Sequence, residues 1–93
     1  MLTSFRRPTH DDLCRRILKT RHTQLAASVA LHADASDLNL VKLKDASDTF
    51  KNQREALLKR FYPGATECRA LGNEVLIRTA DGTLICVYTE PEN

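Results

Sequence analysis

Ninety-three residues, 42% hydrophobic and 28% charged with a formal net charge of +2, describe a single globular domain with a modest core. The mean hydropathy of −0.38 and the lack of any long apolar run exclude a transmembrane helix. Three cysteines, Cys14, Cys68 and Cys86, are an odd number at wide spacing, so the chain is not a disulfide scaffold.

The first eight residues read as an extended arm, because Pro8 restricts Arg7 to extended geometry. The basic pair Arg6-Arg7 is not followed by an apolar stretch, so a signal peptide is not expected and a cytoplasmic location follows. Thr9 is placed to cap a helix, with Asp11 and Asp12 in its first turn, where the helix dipole favours negative charge. Leu13, Ile17, Leu25 and Val29 then mark an amphipathic helix over about 10–31, with a weak point at 20–23 where polar residues replace apolar ones and Arg21 interrupts the row.

Ser36 or Asp37 restarts the chain as a second helix, with Leu40, Leu43, Phe50, Leu57 and Phe61 as its apolar stripe. Pro63 and Gly64 end it. The motif Asp34-Ala35-Ser36-Asp37 recurs as Asp45-Ala46-Ser47-Asp48, a coincidence of common polar residues.

Residues 65–90 are written as β-hairpins. Gly72-Asn73 and Asp81-Gly82 stand between runs rich in Val, Ile, Leu and Thr, and each reads as a two-residue turn with φ > 0 at both central positions. The first turn pairs Cys68 with Ile77; the second pairs Ala80 with Thr83, Ile77 with Cys86 and Val75 with Tyr88. Alternation then places Cys68, Ala70, Val75, Ile77, Leu84, Cys86 and Tyr88 on a face packed against the helices. The other face holds Leu71, Leu76, Ile85 and Val87 among Glu67, Arg69, Glu74 and Arg78, and is apolar enough for a contact surface. Cover by the first helix or the arm, a partner, or a second copy would each account for it. The fold class is α+β: a two-helix αα-hairpin over about 10–61, then a three-stranded antiparallel meander over about 65–90 packed on the helices.

Charge is distributed by segment. Residues 1–22 carry +4 and residues 51–60 carry +3, against −2 over 23–50 and −3 over 61–93. Arg15, Lys19 and His22 share a helical stripe, with Arg16 beside it and Arg6 and Arg7 within reach. Lys51, Arg54, Lys59 and Arg60 make a second basic patch towards the end of the second helix. In an antiparallel hairpin these groups meet at one positive end, suited to phosphates or carboxylates. An ordinary solvated helix surface accounts for the same charges.

Catalytic and metal signatures are weak. His10 and Cys14 share a helix face, but no further ligand stands at useful spacing. Cys14 beside Arg15 is the best thiol nucleophile on offer, and no motif supplies an orienting acid or an oxyanion hole. Neither an enzyme nor a cofactor is expected.

The Arg6-Arg7 arm, the Arg15-Arg16-x-x-Lys19 stripe and the Gly72-Asn73/Asp81-Gly82 meander in so short a chain look like a phage accessory protein. Among these the chain is similar, as a whole-chain profile, to the small anti-CRISPR proteins acting on type I systems. The resemblance implies a stoichiometric inhibitor that occupies a nucleic-acid-binding surface of a host protein or RNA-guided surveillance complex, with no cofactor, no turnover and no membrane. Arg6, Arg7, Arg15, Arg16, Lys19, Arg54 and Arg60 would steer docking, and Leu76, Ile85 and Val87 would make the apolar contact. The rival reading is a small nucleic-acid-binding regulator that touches the backbone directly, dimeric through the open sheet face.

Overall fold

The computed structural model describes residues 7–91 of the chain; Arg6 lies outside them. Helix α1 spans His10–Ala33 and helix α2 spans Asp37–Phe61, followed by strands β1 (Glu67–Leu71), β2 (Glu74–Arg78) and β3 (Leu84–Thr89). The strands form one antiparallel sheet in the order β1-β2-β3. The α+β architecture is the expected one.

Each helix begins where its side chains cap it. The Thr9 hydroxyl accepts from the Asp12 amide while the Asp12 carboxylate accepts from the Thr9 amide, a reciprocal capping box. Ser36 accepts from the Asn39 amide to start α2. The expected weak point at 20–23 is not a break. Thr23 returns its hydroxyl to the Lys19 carbonyl at 3.2 Å and Arg21 bonds Gln24 at 2.7 Å, so α1 runs through. The two copies of the recurring tetrapeptide are not equivalent: one caps α2 and the other lies within it.

The helices run antiparallel and their ends are tied. The His10 Nδ1–H faces the Asp11 carboxylate at 3.0 Å, which leaves Nε2 to accept from the Tyr62 hydroxyl at 2.6 Å. One face of the hairpin meets the sheet. Leu13, Cys14, Ile17 and Leu18 of α1 and Phe50 and Leu57 of α2 close on Cys68, Ala70 and Val75.

The first hairpin has the expected register, with Cys68 opposite Ile77 and Leu71 opposite Glu74. Its turn needs left-handed backbone only at Gly72 (φ 60°), since no non-glycine described has positive φ, so it is of the type with glycine first. The second hairpin corrects the expected one. Thr79 donates to the Thr83 carbonyl at 2.8 Å and Gly82 to the Thr79 carbonyl at 2.9 Å. The loop is therefore Ala80-Asp81-Gly82, a turn completed by a left-handed glycine at φ 91°. The Asp81 carboxylate accepts from the Thr83 amide at 3.0 Å and from the Thr79 hydroxyl, which fixes the longer turn. The extra residue shifts β3 by one, so Ile77 faces Ile85 and Leu76 faces Cys86. Val75 still faces Tyr88, because Val87 is a bulge residue that restores the pairing.

The faces change accordingly. Leu84 and Cys86, expected in the core, are exposed. Ile85 lies on the helix side of the sheet, opposite Ile77, with 41% of its surface exposed. Val87 is half-buried and packs on the core. The three residues expected to form one apolar contact face therefore do not share it; only Leu76 remains there, beside Leu71, Leu84 and Cys86.

Hydrogen bonds from Thr79 and Thr83 hold Asp81 at a pKa of about 2, below its ordinary 3.8. A depressed carboxylate pKa contributes stability that is present above 3.8 and is lost as the pH falls through about 2. Acid melts should therefore show Asp81→Asn less stable than the native chain at neutral pH, with the difference shrinking towards pH 2. A constant difference would show that Asp81 does not act through its charge.

Candidate partner-binding surface

The expected cationic residues fall into three groups. At the tied ends of the helices, Arg60 donates to the Pro8 carbonyl and stacks 4.8 Å from the centre of the Phe61 ring, with exposed Arg7 next in the chain. On α1, Arg16 and Lys19 are exposed and meet no carboxylate among the described residues. Helical spacing turns them away from Cys14 and Leu18 and hence from the sheet. Arg15 is different: it pairs with Asp12 at 3.1 Å, and its proximity to the Tyr88 hydroxyl raises its pKa.

Arg54 does not join the helix ends. It sits half-buried between α2 and β1, with its Cζ 4.4 Å from the Phe50 ring centre and its Nη1 3.4 Å from the Cys68 carbonyl. Its Nε is buried without a hydrogen-bond partner among the described residues. Arg21 reaches the same ring, at 5.7 Å. Arg21, Phe50, Arg54, Glu67 and Arg69 line a cleft of about 270 Å³ along β1. It adjoins a second cleft of about 260 Å³ containing Lys51, Glu55 and Leu58, and Arg54, Glu67 and Cys68 border both. The two form one trough beside an edge strand. Glu67 is already bonded by Arg69 and Arg78, each at 3.0 Å, so the trough presents Arg21, Lys51 and Arg54 against Glu55 as its available charge, an excess of cations. Sequence reasoning placed Arg21 only as an interruption of an apolar row and did not bring it to Arg54. The signal was there, in a cation on the buried side of a helix that also has to cover Phe50.

The thiol chemistry is that of buried groups. Burial pushes the Cys14 thiol up to about 12 and Cys68 up to about 11, so Cys14 carries almost no thiolate at neutral pH despite lying 3.9 Å from His10 Nε2. Cys86, expected to be buried, is exposed. Among the described residues no group of three His, Cys, Asp or Glu is placed to hold a metal ion, and no helix is long and apolar enough to cross a membrane.

No family model, no curated protein and no solved structure matches the chain.

Proposed function

We propose that the protein is a binding protein of the phage-inhibitor type, anti-CRISPR-like in its action, that docks by stoichiometric contact on a host protein or RNA-guided ribonucleoprotein and blocks its use of nucleic acid. The observation that carries the reading is the α2–β1 trough, where the Arg21 and Arg54 guanidiniums are packed on Phe50 with no carboxylate bound to them. A guanidinium held by an aromatic ring is already ordered, so it loses little freedom on meeting a carboxylate or phosphate. Arg16 and Lys19 add charge that speeds encounter. Leu76 adds a half-buried apolar contact on the outer sheet face.

Arg16 and Lys19 also favour the second reading, a nucleic-acid-binding regulator, because unpaired cations on an open helix face suit a phosphate backbone. Capture of partners from host lysate by the tagged chain, with and without nuclease, separates the two. The inhibitor reading expects a protein complex that stays bound after nuclease; loss of all partners would favour the regulator. Arg16→Glu with Lys19→Glu should weaken partner binding by about 10-fold while the circular dichroism spectrum stays native. Unchanged binding would remove these residues from the interface. Arg15 is left intact in that variant because it supports the α1 cap through Asp12.

A further inference from the structure

Across residues 19–45 no side chain is buried. The core stops at Leu18 on α1 and at Ala46 on α2, yet α1 continues to Ala33 and α2 begins at Asp37. A two-helix finger of about 20 Å therefore stands beyond the sheet. Its helices are joined by Gln24 to Ser47 at 3.0 Å and by Asn39 to the Asp34 carbonyl at 2.7 Å. Within the finger Ala27, Leu31 and Leu43 are only half-buried, and short helices with so little apolar burial are marginal in water. The radius of gyration, 15.2 Å, exceeds the roughly 12–13 Å of an ordinary domain of this length.

The finger is apolar on the side that the sheet covers lower down. Leu25 and Val29 lie seven and eleven residues beyond Leu18, on the same side of α1, and are 47% and 70% exposed. Leu40, 55% exposed, lies fourteen residues before Arg54, on the side of α2 that meets β1. From 22 to 33 α1 carries no Asp, Glu, Lys or Arg. The α1 half of the face therefore offers nothing to phosphates or to a charged peptide, and on α2 the exposed Lys44, one turn beyond Leu40, stands beside the apolar residues; the occupant that fits is mainly apolar.

We infer that this face is a homodimer interface, in which the fingers of two copies pack face to face as a four-helix bundle. The step left by the sheet has the right height: a sheet and a helix layer each stand about 10 Å off the helices below. A partner's finger therefore fills the step beside the sheet, and a two-fold axis gives each copy the same seat. The face is about 20 Å long and two helix diameters wide. Two such faces remove on the order of 1,000 Å² from water, about the least that a biological interface buries, which fits a dimer of micromolar strength.

Sedimentation velocity tests the inference. The native chain should shift from its 10.5 kDa monomer to a dimer as its concentration rises from about 1 to about 100 μM. Val29→Glu and Leu40→Glu should each raise the dimer dissociation constant at least about 10-fold, with native circular dichroism, because both side chains are exposed in the monomer. Ala30→Glu, on the opposite side of the finger where Ala26, Ala30 and Thr23 line a groove, should leave the dimer intact. A chain that stays monomeric at about 100 μM, or a dimer that survives Val29→Glu or yields to Ala30→Glu, overturns it.

Discussion

Leu57→Ala should lower the unfolding free energy by about 3 kcal/mol, within the range for emptying a filled core position. Leu57 is 0% exposed and sits in the cluster that joins α2 to the sheet. The core has little to spare. Its buried hydrophobics include Cys14, Ala46, Cys68 and Ala70, so the large side chains are Leu13, Ile17, Leu18, Phe50, Leu57, Val75 and Ile77. A domain of this size commonly has about 5–10 kcal/mol in total. Losing about 3 of that lowers the melting temperature by roughly 12–24 °C. Val41→Ala, at an exposed position of α2, should change stability by less than about 0.5 kcal/mol. Both are measured by urea or thermal unfolding. A Leu57→Ala cost below about 1 kcal/mol would mean that α2 does not seat on the sheet through this residue.

What was legible in the sequence follows from how local each determinant is. Thr9, Ser36 and Gly72 act within three or four residues, and the helix starts and the first hairpin stand where they were expected. Asp81-Gly82 is compatible with both a two-residue and a three-residue loop. The choice is made by side-chain bonds from Thr79 and Thr83 to Asp81, and a one-residue difference moves every later side chain to the other face until the Val87 bulge. Ile85 and Val87 were misplaced for that reason. Arg54 and Arg60 were grouped because both close α2, although six residues place them about 120° apart around a helix. The trough also needs β1 beside α2, a contact between segments distant in sequence that no local pattern encodes.

Arg54→Ala should weaken binding of an anionic partner group by about 30- to 100-fold, as expected when a charge-assisted hydrogen-bond donor is removed from a partly buried contact. The argument rests on how the side chain is held. Phe50 supports the guanidinium face and the bond to the Cys68 carbonyl is long at 3.4 Å, so the Nη donors are positioned without being used up. Arg54→Lys should restore only a small part of the affinity, because an ammonium has the charge but neither the planar stack nor the two-pronged geometry. Arg60→Ala should cost less than about 3-fold, since Arg60 is exposed and its donor is committed to the Pro8 carbonyl. An oligo-glutamate peptide and a single-stranded oligonucleotide serve as defined ligands, with amide shifts at Cys68 and Ala70 reporting occupation of the trough. If Arg54→Ala binds both ligands as the native chain does, the anion site is not in the trough, and the docking charge of the proposed function falls to the cations of α1 and of the helix ends.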